Sequence, residues 1–108
     1  MAISSAPWGN VSASSYSDTS AYCSACLIDL NPSGQAKTQS NCKLPVKMPN
    51  GDVNRNAVHA ASAALAGARG GVQAPASAKR TAARALVRLY GQMNETPPDS
   101  LKRLAGGG

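Results

Sequence analysis

From residue 53 onward the apolar positions of this chain are filled largely by alanine, and that limits what it can fold into. Phe is absent, and aromatic residues make up 4% of the 108 residues. Burial stabilises by roughly 25 cal/mol per Å² of apolar surface, and alanine brings little surface to bury. A chain this short hides a modest share of its surface in any case. The expectation is one small domain at most, with a thin core. Such a folded state leans on a partner or on copies of itself.

The chain separates by composition into residues 1–41 and 42–108. The first zone is rich in Ser, Ala, Gly and Asn, with Trp8, Tyr16 and Tyr22 spaced along it and a small apolar cluster around Leu27 and Ile28. By itself it buries too little to offset its ordering entropy. It reads as an extended arm whose Trp8, Tyr16, Tyr22, Leu27 and Ile28 are anchors for pockets on a partner. Asn31-Pro32-Ser33-Gly34 signals a turn. Residues 44–49 are extended, because a residue before proline avoids the helical region.

In the second zone Asp52 stands at an N-cap position. Apolar residues then recur at helical spacing over residues 53–68. Gly67, Gly70 and Gly71 form a connector, and Pro75 opens a second helix ending near Leu89 or Tyr90, with Gly91 as its stop. Thr96-Pro97-Pro98 breaks the chain, and Asp99 caps a last short helix over residues 100–105. The expected fold is mainly α: an extended N-terminal arm, an αα-hairpin and a short C-terminal helix.

The formal net charge is +6, which suits an acidic partner. Lys79, Arg80, Arg84 and Arg88 form a basic face on the second helix, available to an acidic surface or to phosphates. Specific reading of DNA is not expected. A helix-turn-helix wants a turn of about 3–4 residues, and this connector is longer. The stacking aromatics of single-strand binders are also missing from the basic half. Apolar runs fall short of the roughly 20 residues that span a bilayer, so no membrane partner is expected. The start carries neither a basic n-region nor an apolar h-region, which makes synthesis in a cytoplasm the default.

Chemistry-bearing residues are few. The three cysteines are an odd number, which argues against a closed disulfide framework, and a reducing compartment would keep them as thiols. Cys23 and Cys26 form a CxxC, to which Cys42 and His59 would add a Cys₃His zinc set. Structural zinc sites usually pair ligands in two short spacings, and only one short spacing is present. The preferred reading makes Cys26 a small buried hydrophobe. His59 has no carboxylate at helical spacing to orient it for nucleophilic catalysis. Neither a catalytic residue nor a cofactor is expected.

Two blocks of residues nevertheless carry a resemblance. The first is Trp8-Gly9-Asn10, Ser12-Ala13-Ser14, Tyr16-Ser17-Asp18 and Cys26-Leu27-Ile28-Asp29. The second is Lys43-Leu44-Pro45-Val46, residues 51–56, Ala60-Ala61, residues 65–72, Ala82-Ala83-Arg84, Leu86-Val87-Arg88-Leu89-Tyr90 and Pro97-Pro98-Asp99-Ser100-Leu101. In these the chain resembles small tailed-bacteriophage head proteins, related to non-catalytic segments found with prohead-protease and capsid modules. The resemblance implies a minor capsid or decoration protein of the virion. Its partner would be the major capsid protein of a phage shell, with copies of itself as a further partner. A nucleic-acid-binding head protein using Arg80, Arg84 and Arg88 is the alternative.

Overall fold

The computed structural model describes residues 2–67 and 71–106. The chain divides into two compact units, Met1–Ala57 and Val58–Gly108.

Short extended segments far apart in sequence pair in the first unit. Strand β1 (Ile3–Ser4) runs parallel to β4 (Val53–Asn54), with Ile3 opposite Val53 and Ser4 opposite Asn54. Strand β2 (Cys26–Asp29) is antiparallel to β3 (Cys42–Pro45), with Cys26 opposite Pro45, Ile28 opposite Lys43 and Asp29 opposite Cys42. A six-residue helix, α1 (Thr19–Ser24), precedes β2 and is capped by Asp18, whose carboxylate accepts the Ala21 N–H at 2.8 Å. A disulfide joins Cys23 of α1 to Cys42 of β3 across a Cα–Cα distance of 5.3 Å. Ile28, Val46 and Val53 are buried with the two sulfurs.

These pairings correct the expected fold. The chain is an α+β mixture with a disulfide, not a mainly α protein with an extended arm ahead of an αα-hairpin. Residues 2–41 are tied down by contacts that periodicity cannot reveal. Val53 N–H donates to Ala2 O at 3.1 Å, and the buried Tyr16 hydroxyl donates to Lys47 O.

Helix α2 (Arg55–Leu65) starts later than expected, because Val53 and Asn54 are held extended against β1. Its cap is therefore Asn54, not Asp52. Asn54 is fully buried, and its Oδ1 accepts the Ala57 N–H at 2.9 Å, one of the donors a helix start leaves unpaired. Its Nδ2 donates to Ala6 O at 3.1 Å and points at Met48 Sδ at 3.2 Å. Asp52 serves the preceding turn instead, its N–H bonded to Asn50 Oδ1 at 2.9 Å. The expected end of this helix at Ala68, with Arg69 and Gly70 of the connector, lies outside the described residues.

The second unit contains α3 (Ala76–Gln92) and α4 (Asp99–Gly106), which pack on each other. Ala82, Ala83, Leu86, Leu89 and Tyr90 form the buried stripe of α3, and Leu101 is the buried residue of α4. Gly91 lies inside α3 rather than stopping it. The left-handed residue is Asn94, at φ 58°. Glu95 N–H bonds Tyr90 O at 2.9 Å and Asn94 N–H bonds Gly91 O at 3.2 Å, the paired bonds of a Schellman ending. Asn tolerates that conformation better than other residues with a Cβ.

Candidate functional site

The α3 arginines occupy the solvent side of the helix because the opposite side is taken by its apolar stripe. Arg80, Arg84 and Arg88 are exposed, and Lys79 is half-buried beside them. Successive arginines four residues apart are separated by about 6 Å along a helix axis. Arg84 is held in place: its Nε donates to Ala105 O at 2.9 Å, capping a carbonyl at the end of α4. That bond fixes the guanidinium while leaving its terminal nitrogens for a ligand. Residues 58–108 contain seven Lys and Arg against two Asp and Glu, a net +5. Residues 1–57 contain four against three, a net +1. The basic character thus belongs to the second unit.

The aromatic and aliphatic residues expected to face a partner are divided by their burial. Tyr16 and Ile28 are spent inside the first unit, at 8% and 3% exposure. Trp8, Tyr22 and Leu27 are half-buried. Tyr22 meets Tyr16 edge-on, with ring centroids 5.4 Å apart. A cleft of about 440 Å³ opens beside them, lined by Ser12, Ala13, Ser14, Tyr16, Asp18, Thr19, Tyr22 and Gln39. Burial, then the nearby Cys26, push the Tyr22 phenol up to about 12. Burial likewise pushes the Cys26 thiol up to about 11. Both groups are therefore protonated at neutral pH, and neither is an activated nucleophile there.

The structure does not assemble the Cys₃His set. Cys23 and Cys42 are bonded to each other, contrary to the expectation of free thiols, and Cys26 is the free cysteine. The odd count meant one disulfide and one thiol. His59 sits on α2 in the second unit. Its Nε2 meets Glu95 Oε1 at 2.7 Å, and its ring stacks on Tyr90 with centroids 5.8 Å apart. The Schellman turn delivers Glu95 to that position. The His59 arrangement fastens α2 to the end of α3.

A polar cluster that residue patterns did not single out surrounds the disulfide. Asn31 is its centre. The Asn31 side-chain amide donates to Asp29 Oδ1 at 2.8 Å, and the same nitrogen stands 3.2 Å from Cys42 Sγ. Asn31 Oδ1 accepts the Thr38 N–H at 2.7 Å. Lys37 Nζ pairs with Asp29 Oδ2 at 2.5 Å. The Lys37 ammonium, followed by the Asn31 donors, lowers the Asp29 carboxyl to about 2. The signal available in sequence was the Asn31-Pro32-Ser33-Gly34 turn, which locates a loop without revealing what the loop encloses.

Among the described residues, no helix is long and apolar enough to cross a membrane. Compared with models of protein families, with curated proteins and with solved structures, the chain matches none.

Proposed function

We propose that the protein is a structural, non-enzymatic component of a phage head, a minor capsid or decoration protein that docks on the shell through the basic face of α3. The single observation that carries this reading is the one-sided charge: a net +5 in residues 58–108, with Arg80, Arg84 and Arg88 exposed on one helix. A surface of that kind attracts a carboxylate-rich partner and sets orientation on encounter. Many copies on one lattice gain avidity even where each contact is weak. The motif resemblance given above supplies the shell as the partner. Docking is assigned to α3 rather than to an N-terminal arm, since Tyr16 and Ile28 are buried within their own unit.

The test is co-sedimentation of the purified protein with phage heads across a salt series. Arg80→Glu with Arg88→Glu should abolish co-sedimentation and leave the circular dichroism unchanged, because Arg84 keeps its bond to Ala105. Wild-type protein that stays in the supernatant, or a double variant that still pellets, refutes the reading. The competing occupant is duplex DNA. Tight DNA binding whose logarithm falls with log salt at about −0.9 per phosphate contact would replace the shell reading by a nucleic-acid one.

A further inference from the structure

The disulfide carries an inference that is independent of shell docking. Cys23 Sγ, Cys42 Sγ and a carboxylate oxygen of Asp29 lie within 4.8 Å of one another. Three separate parts of the fold bring them there. Cys23 comes from α1, and the β2–β3 register places Asp29 directly opposite Cys42. While the sulfurs are bonded to each other they are poor ligands. Reduction turns them into two thiols beside an ionised carboxylate, and thiolate with carboxylate is a donor set that zinc-class cations accept.

The surroundings suit a metal. Ligating carboxylates are commonly held by outer hydrogen bonds, and Lys37 already supplies one to Asp29. The Asn31 amide nitrogen, 2.8 Å from Asp29 Oδ1 and 3.2 Å from Cys42 Sγ, stands among the donors and must swing aside for a cation to enter. Two thiolates and a carboxylate exceed the charge of a divalent ion by one, and the Lys37 ammonium offsets that excess. The two cysteines are buried while Asp29 is exposed. A cation therefore has an entry on the Asp29 side, where water can complete a fourth position. The free Cys26 and the distant-in-sequence His59 are not members of this group.

We propose that reduction of Cys23–Cys42 creates a site for one zinc-class divalent cation, ligated by Cys23, Cys42 and Asp29, so that metal and disulfide exclude each other. In a reducing compartment the dithiol is the favoured form. On exposure to a small-molecule disulfide such as oxidised glutathione, the two thiolates lose two electrons and join as the cystine. The small disulfide gains those electrons and leaves as two thiolates, and the cation is released.

The experiment is cobalt titration of the full chain before and after reduction, followed by optical absorption. The oxidised chain should show no thiolate-to-cobalt charge-transfer band. The reduced chain should show one that saturates at one equivalent, together with tetrahedral ligand-field bands. Cys26→Ser should leave the titration unchanged. Asp29→Asn should weaken it at least about tenfold, the lower end of what loss of a metal-supporting group costs. Oxidised glutathione should discharge the band as the disulfide returns. Circular dichroism of the reduced chain is recorded with and without cobalt. A reduced chain that unfolds and refolds with metal supports the site, and one that stays unfolded overturns it. Absence of the band, an unaffected Asp29→Asn, loss of binding in Cys26→Ser, or equal binding by the oxidised chain also overturns it. None of these outcomes bears on co-sedimentation with heads.

Discussion

Replacing Asn54 tests how the first unit is held together. Its side chain is fully buried and does two jobs at once. Oδ1 caps α2 through the Ala57 N–H, and Nδ2 holds the Ala6 carbonyl of the N-terminal segment. Asn54→Ala removes both. The lost cap costs about 1 kcal/mol, and the buried Ala57 N–H it abandons raises the total to roughly 2–3 kcal/mol. Ala6 O suffers less, because Asn56 Nδ2 also donates to it at 2.9 Å. Asn54→Asp separates the two jobs. A carboxylate can still accept from Ala57, but it faces Ala6 O with no donor and must be ionised where water is excluded. Burial raises the pKa of such a carboxyl. Asn54→Asp should therefore be at least as destabilised as Asn54→Ala at pH 7. It should recover toward wild type as the pH falls and the acid gains a proton to donate, whereas Asn54→Ala should not. Urea denaturation of the three proteins at pH 7 and pH 5, with proteolytic nicking near residue 6 as a local probe, measures this. An Asn54→Ala protein within about 0.5 kcal/mol of wild type, the range of an ordinary surface substitution, would refute the reasoning.

Among the described residues the buried Ser62 hydroxyl has no hydrogen-bond partner, so Ser62→Ala should stabilise the protein by about 1 kcal/mol, read as a higher urea midpoint. Asn94→Ala should destabilise by about 1 kcal/mol or more, because alanine resists the left-handed conformation that ends α3, while Asn94→Gly should be neutral or better in the same thermal melts. Asp29 has its pKa lowered to about 2 by Lys37 and Asn31. Its contribution is thus complete above the ordinary carboxylate value of 3.8 and is lost as the pH falls through about 2. Carboxyl carbon shifts in an NMR titration should show Asp29 protonating well below the ordinary carboxylate value, and Lys37→Ala should move it upward.

The helical half was partly legible and the first half was not, for a physical reason. The stripe Ala82, Leu86 and Leu89 is a local, periodic signal, and α3 follows it. The helix runs past Gly91, because the left-handed position that ends it falls on Asn94. Helix α2 starts later than its periodicity suggests, because the pairing of Val53–Asn54 with Ile3–Ser4 overrides local preference. The same holds for the cysteines. The CxxC suggests that Cys23 and Cys26 act together, but Cys23 bonds Cys42 across the contact of α1 with β3. Serine- and asparagine-rich composition resembles that of a loose tail, yet here Asn31 and Asn54 bind backbone groups and fix the chain. The basic face of α3 could be read in advance, but the bond from Arg84 to Ala105 required knowing where α4 comes to rest.

The parallel pairing of Ile3 with Val53 has a consequence for biosynthesis. The β1 strand leaves the ribosome some fifty residues before β4, its mate. At roughly 5–20 residues per second, the early strand waits several seconds with its edge bare. During that interval a neighbouring nascent chain or a chaperone can occupy the edge, so slowing translation ahead of Val53 should lower the yield of correctly assembled protein.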